Sequence, residues 1–193
     1  MKRRVFVAIN LSDGLKKRLK RFQEKFDYLP VRWTKEASLH LTLVFIGYVS
    51  DEQMLEVCRA TKEVAAKFEP FFINFKRVVL GPPGKIPWMI WLEGEDSPEL
   101  DKLKKELEAV LLDCDSGFYR PENRPLKPHI TLARVREGQG GEISRQQAEI
   151  EQGLEAQVEV GSLDVMESDL KRDGAEYVIL EVCPLEALSN SYE

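Results

Sequence analysis

Histidine, cysteine and long apolar runs are all scarce in this chain of 193 residues. There are two histidines and three cysteines. No apolar run approaches the roughly 18 residues a membrane-crossing helix needs. Cys58, Cys114 and Cys183 lie far apart and form no Cys-x-x-Cys pair. An odd, scattered set argues against a disulfide framework and against a structural zinc site, and reads as three free thiols. Met1–Arg4 is basic, but only five apolar residues follow before Asn10, short of the roughly 7–15 of a secretory core. The expectation is a cytoplasmic monomer with no membrane partner.

What is present fits a globular domain: 43% hydrophobic residues, 32% charged and 9% aromatic. The net charge of −5 is not that of a protein that coats nucleic acid. The charge is uneven, however. Residues 1–50 hold 11 Lys and Arg against 4 Asp and Glu, a net of +7; the rest hold 17 against 29, a net of −12. A basic face on an acidic body suits a short anionic end better than a long duplex; a solvated basic helix without a partner is the plain alternative.

Along the chain, Arg4–Ile9 reads as a buried strand. Ser12 caps a helix with the stripe Leu15, Leu19, Phe22 and Phe26, and Pro30 closes it. Leu39–Gly47 is a second strand. Ser50 and Gln53 match a capping box before a helix carrying Leu55, Ala60, Val64 and Phe68. Strands over Phe71–Leu80 and Ile86–Leu92 flank the turn Gly81–Gly84. Ser97-Pro98 opens a helix with the stripe Leu100, Leu103, Leu107, Val110 and Leu111. An irregular stretch, Asp113–Pro128, precedes a strand over His129–Val135 and a loop over Gly138–Gly141. A helix near Ser144–Gln152 and strands over Gln157–Met166 and Glu176–Cys183 follow, the last two joined by a turn at Lys171–Gly174. Helix, histidine-bearing strand, helix and two strands thus occur twice. The expectation is one bilobal α+β domain over 1–193, a pseudo-twofold duplication with repeats near 1–95 and 96–193. Two mainly antiparallel sheets would line a central cleft, with helices outside.

Both histidines sit in the same tetrapeptide form, His40-Leu-Thr-Leu43 and His129-Ile-Thr-Leu132, 89 residues apart. Strand alternation sends each His and its Thr to one face and the aliphatic pair to the other. Two imidazoles across a phosphorus atom can serve as general base and general acid, since an ordinary value near ~6.5 lets one be neutral and one charged. Thr42 and Thr131 can donate to non-bridging oxygens as charge builds there. Such a site needs no metal and no cofactor and suits displacement at a phosphodiester, above all a strained cyclic one. A zinc reading lacks its third and fourth ligands. Chemistry alone does not say which histidine is acid and which base.

The chain resembles the two-histidine phosphoesterases, and within them the RNA 2′,3′-cyclic phosphodiesterase branch, also called 2′-5′ RNA ligase. The resemblance runs through Arg4–Leu11, Leu39–Gly47, Ile90-Trp-Leu92, Asn123–Arg134 and the terminal hairpin. It implies a bilobal fold and hydrolysis of RNA ends bearing a 2′,3′-cyclic phosphate to 2′-phosphomonoesters. It also implies His129 as proton acceptor, His40 as proton donor, Thr42 and Thr131 on the phosphate oxygens, and ligation as a side capability. Phosphodiesterase action on a small cyclic nucleotide or a 2′-5′ oligonucleotide, and a non-catalytic RNA-end binding module, are the competing readings. Candidate substrate-binding cations are Arg134, Lys127 and Arg124. Strict alternation turns Arg134 away from His129, so it contributes only if the strand twists or bulges. Trp33, Phe118 and Tyr119 are candidates for base stacking. Val44 and Ala133 would continue the histidine faces and, being small, leave room for a ligand.

Overall fold

The computed structural model describes residues 2–114, 117–122, 125–171 and 174–186. Arg124, and the tip of the turn at 172–173, lie outside the described residues. In chain order the elements are β1 (Arg3–Asn10), α1 (Asp13–Glu24), β2 (Val31–Trp33), β3 (His40–Val49), α2 (Asp51–Ala65), β4 (Phe71–Gly81) and β5 (Met89–Gly94). There follow α3 (Pro98–Leu112), β6 (His129–Val135), α4 (Gly140–Arg145), α5 (Gln147–Ile150), β7 (Gly153–Val160), β8 (Ser162–Lys171) and β9 (Gly174–Pro184).

Local chemistry sets the helix starts. Ser12 and Ser97 accept from the backbone amides of Leu15 and Leu100, and Ser50 with Gln53 completes the capping box. In α3, Leu100, Leu103, Leu107 and Leu111 are all fully buried. Each such side chain contributes about 1.5–3 kcal/mol through burial. In α2 the buried stripe is Val57, Ala60, Thr61 and Val64, and Leu55 stands in solvent. Leu55 lies two residues from Val57 and so on a different helix face.

The expected antiparallel architecture with outer helices is present. All strand pairs are antiparallel, in the order β7-β4-β5-β6-β3-β1-β8-β9, with β2 added against β6. The two sheets are joined into one curved surface: β3 and β6 meet through the single pair Leu41–Ile130 and then part. That junction divides the surface into β3-β1-β8-β9 and β6-β5-β4-β7. Each half draws two strands from residues before 95 and two from residues after it. The apolar core lies on the helix side; α2 packs against α3, β1, β8 and β9.

Several elements differ from expectation. The single strand expected over Gln157–Met166 is two, β7 and β8, broken at Gly161; β7 pairs with β4 and β8 with β1, in opposite halves of the sheet. Its apolar pattern continues through the break because both strands are half-buried. The expected loop over Gly138–Gly141 already begins α4, and the helix near Ser144–Gln152 is two short ones. Ile86 lies before β5 and is exposed. The three-residue β2 follows Pro30 directly and is too short to show a period.

Candidate active site

His40 and Thr42 project from β3, His129 and Thr131 from β6, into one cleft of about 130 Å³. Extending the Leu41–Ile130 register by one residue sets His40 opposite Thr131 and Thr42 opposite His129. The two histidines are then diagonal neighbours where the strands part. The pair Leu41–Ile130 is the local pseudo-twofold, so the imidazole and hydroxyl prongs face one another in reversed order.

Each imidazole is oriented by a backbone carbonyl two residues before it, just ahead of its strand. Nδ1 of His40 lies 2.8 Å from the Ser38 carbonyl oxygen, and Nδ1 of His129 lies 2.8 Å from that of Lys127. A carbonyl only accepts, so Nδ1 carries the proton in both rings and the neutral ring presents the Nε2 lone pair. At His40 the Thr42 hydroxyl donates to Nε2 at 3.1 Å. At His129, Nε2 has no protein partner among the described residues.

Burial pulls both imidazoles below the ordinary histidine range, opposed by those carbonyl contacts. His40 is lowered further by the nearby charges of Lys16 and His129. Packing fixes the rings: Phe6 and Tyr177 lie 5.1 and 5.0 Å from His40 between centroids, Tyr177 edge-on, and Trp91 lies 4.3 Å from His129.

A bulge follows each His-x-Thr unit. Against β1 the pairing steps from Thr42–Ala8 to Val44–Val7, leaving Leu43 extra. Against β5 it steps from Thr131–Trp91 to Ala133–Ile90, leaving Leu132 extra. Leu43 and Val44, and likewise Leu132 and Ala133, are consecutive buried residues. The alternation therefore flips. Val44 and Ala133 enter the core instead of leaving room in the cleft, a correction to the alternation pattern. Phe45 and Arg134 take the cleft positions, so the bulge that Arg134 required is present.

Lys127 orients His129 through its carbonyl; its exposed side chain borders a separate depression with Lys76, Arg77 and Glu93. Arg124 lies outside the described residues. The three aromatics expected to stack on a base are elsewhere. Trp33 packs edge-on to Phe22, Phe118 packs on the core, and buried Tyr119 donates to Glu108 Oε1 at 2.7 Å. Trp33 follows strand alternation to the core side, and the other two anchor the stretch before β6.

Sequence reasoning missed Phe45, Arg4, Thr34, Ser168 and Tyr177, which also line the cleft. The Arg4 guanidinium lies 4.7 Å above the Phe45 ring centroid and donates to Ser168 Oγ at 3.1 Å. Alternation in β1 from Val5, Val7 and Ile9, all buried, was the available signal for Arg4. Arg4 and Arg134 thus bring guanidinium groups to the cleft from the two halves of the sheet, where they can meet an anion with hydrogen-bond donors.

Known proteins share this architecture. An RNA 2′,3′-cyclic phosphodiesterase of Methanothermobacter thermautotrophicus is 30% identical over 89% of this chain and 90% of that protein. The Aquifex aeolicus protein of the same name is 26% identical over 92% of this chain and 95% of its own. The crystal structure of Escherichia coli LigT complexed with 3′-AMP superposes with a TM-score of 0.73 at 23% identity, covering 97% of this chain and 100% of that one. The crystal structure of TT0787 from Thermus thermophilus superposes with a TM-score of 0.79 at 22% identity, over 94% of this chain and 97% of that one. The model of the LigT-like phosphoesterases matches residues 9–88 and again 90–177, so the chain belongs to that family.

Proposed function

We propose that this chain hydrolyses RNA 2′,3′-cyclic phosphodiester ends to 2′-phosphomonoesters by paired acid–base catalysis. The observation that carries the reading is the convergence of two oriented imidazoles, each with a threonine, on one cleft. The names of the relatives support the substrate class.

In the forward step, neutral His129 Nε2 accepts a proton from a water molecule as its oxygen bonds to phosphorus. The bond from phosphorus to the 3′ oxygen breaks, and protonated His40 gives its Nε2 proton to that oxygen. The 2′ ester remains. The Lys16 charge makes the His40 imidazolium a stronger acid, which suits the donor role; the unencumbered Nε2 of His129 suits the acceptor. Thr42, Thr131 and Arg134 stabilise the negative charge on the non-bridging oxygens.

A 5′ hydroxyl replacing water at the same step would leave a 2′-5′ linkage without ATP. Water in vast excess makes this a side reaction. Both prongs come from one chain, so a monomer suffices, and an RNA substrate fits a cytoplasmic location.

The test is an oligoribonucleotide ending in a 2′,3′-cyclic phosphate, incubated with the enzyme in EDTA, with 2′- and 3′-phosphate products resolved. Ring opening to the 2′-phosphate is expected, with His40→Ala and His129→Ala each slowed by ~10²–10⁴. Binding without turnover in the wild type, or full activity in both variants, contradicts the reading.

A further inference from the structure

Arg32 stands directly opposite Arg134 in the β2–β6 ladder. Directly paired residues point to the same face, and like charges so placed are destabilising. The face is the cleft face. Arg134 lines the cleft, and so does Thr34, two residues beyond Arg32 on the same side of its strand. The alternate pair, Trp33 and Ala133, is turned into the core. Thr34 continues the pairing, its amide donating to the Leu132 carbonyl at 2.8 Å and its hydroxyl to that of Thr131 at 2.9 Å. β2 is thereby clamped to the strand that carries His129.

Neither guanidinium has an acidic partner among the described residues; Arg134 reaches only the Met89 sulfur, at 3.8 Å. By contrast Arg77, Lys76 and Lys35 face carboxylates, those of Glu93, Glu95 and Glu176. Two unmatched arginines held side by side at the mouth of a phosphate cleft present a field that one cyclic phosphate does not fill. The guanidinium fork is suited to phosphate oxygens.

We propose that Arg32 binds the phosphodiester immediately upstream of the terminal cyclic phosphate, while Arg134 serves the reacting one. This rests on the RNA-end reading above and narrows it: the preferred substrate is an oligoribonucleotide, and a cyclic mononucleotide lacks the group Arg32 takes.

The experiment compares a 2′,3′-cyclic mononucleotide, a trinucleotide with the same end, and that trinucleotide carrying an uncharged methylphosphonate at its last internal linkage. For Arg32→Gln, KM on the native trinucleotide should rise about tenfold with kcat nearly unchanged, and the salt slope of kcat/KM should fall by about 1. The mononucleotide and the methylphosphonate substrate should not respond. Arg134→Gln should impair all three. Anisotropy of a fluorescent trinucleotide ending in 2′-phosphate gives a readout independent of turnover; Arg32→Gln should weaken binding about tenfold. Equal losses on mononucleotide and trinucleotide, or no loss in either KM or anisotropy, overturn the assignment. Absence of wild-type turnover with the anisotropy response intact would instead overturn the catalytic reading and leave the phosphate contact supported.

Discussion

Trp91 lies against His129 with ring centroids 4.3 Å apart and planes 33° from parallel. The same indole lies against Gly81, where an added Cβ would fall 2.6 Å from it. The indole N–H donates to the Met89 sulfur at 3.4 Å, the same sulfur that Arg134 approaches. The indole thus packs closely against both the imidazole and the glycine. Gly81→Ala should push the indole toward His129 and lower kcat on a cyclic-phosphate substrate by about tenfold to a hundredfold, in line with ångström-scale misplacement of a reacting group. The His129 C2–H resonance should shift in the same variant. Unchanged kcat would mean that the ring has room to move.

The acidic shift of both histidines fixes the sign of the pH response. The proposed mechanism needs His40 protonated and His129 neutral, and both values lie below ~6.5 in the unliganded cleft. The profile of kcat/KM should therefore peak on the acid side of ~6.5 and fall as pH rises, because His40 loses its proton. A bound anionic phosphate favours the imidazolium, so the kcat profile should lie at higher pH than that of kcat/KM. Coincident profiles would contradict this.

The same shifts act on stability. The unfolded chain binds protons at its histidines more readily than the folded one, so stability increases with pH between the depressed folded values and ~6.5. The rise in Tm from about pH 5 to 7 should be smaller in His40→Gln/His129→Gln than in the wild type, as differential scanning calorimetry would read.

Gln23 joins α1 to the strands beneath the site. It is 1% exposed, and its amide donates to the carbonyls of Thr34 at 3.0 Å and Leu132 at 3.2 Å. Leu132 is the extra residue of the β6 bulge that turns Arg134 into the cleft. Gln23→Ala should cost about 1–3 kcal/mol in urea unfolding, and KM should rise as Arg134 loses its fixed direction. A loss of stability with unchanged KM would show that the bulge holds without its helix contact.

Phe45 supports Arg4 through ring–cation contact at 4.7 Å. Phe45→Ala should raise KM roughly two- to fivefold, corresponding to about 0.5–1 kcal/mol, and the effect should disappear in an Arg4→Gln background. Additive losses would separate the two residues.

The paired tetrapeptides, the helix caps and the leucine stripe of α3 were legible because each is a short-range pattern with a fixed period. The consequence of a bulge is not. Thr42 to Phe45 reads as ordinary alternation, and only pairing with β1 and β5 reveals that Leu43 and Leu132 are extra. Those two residues decide that Phe45 and Arg134, rather than Val44 and Ala133, face the cleft. Tertiary placement likewise hides β2, whose three residues are recognisable as a strand only beside β6, and the break at Gly161, where neighbours in sequence go to opposite halves of the sheet.

That parting at Gly161 has a bearing on how the chain matures. β1, made first, flanks β3 but waits for β8 to cover its other edge, and β4 and β5 wait for β6 and β7. Contacts of such long span form slowly. A ribosome that has released only the amino-terminal half therefore presents bare strand edges rather than a finished lobe, and a fragment ending there cannot work alone. Mixed fragments cut near residue 95 would have to interleave their strands before any histidine found its counterpart.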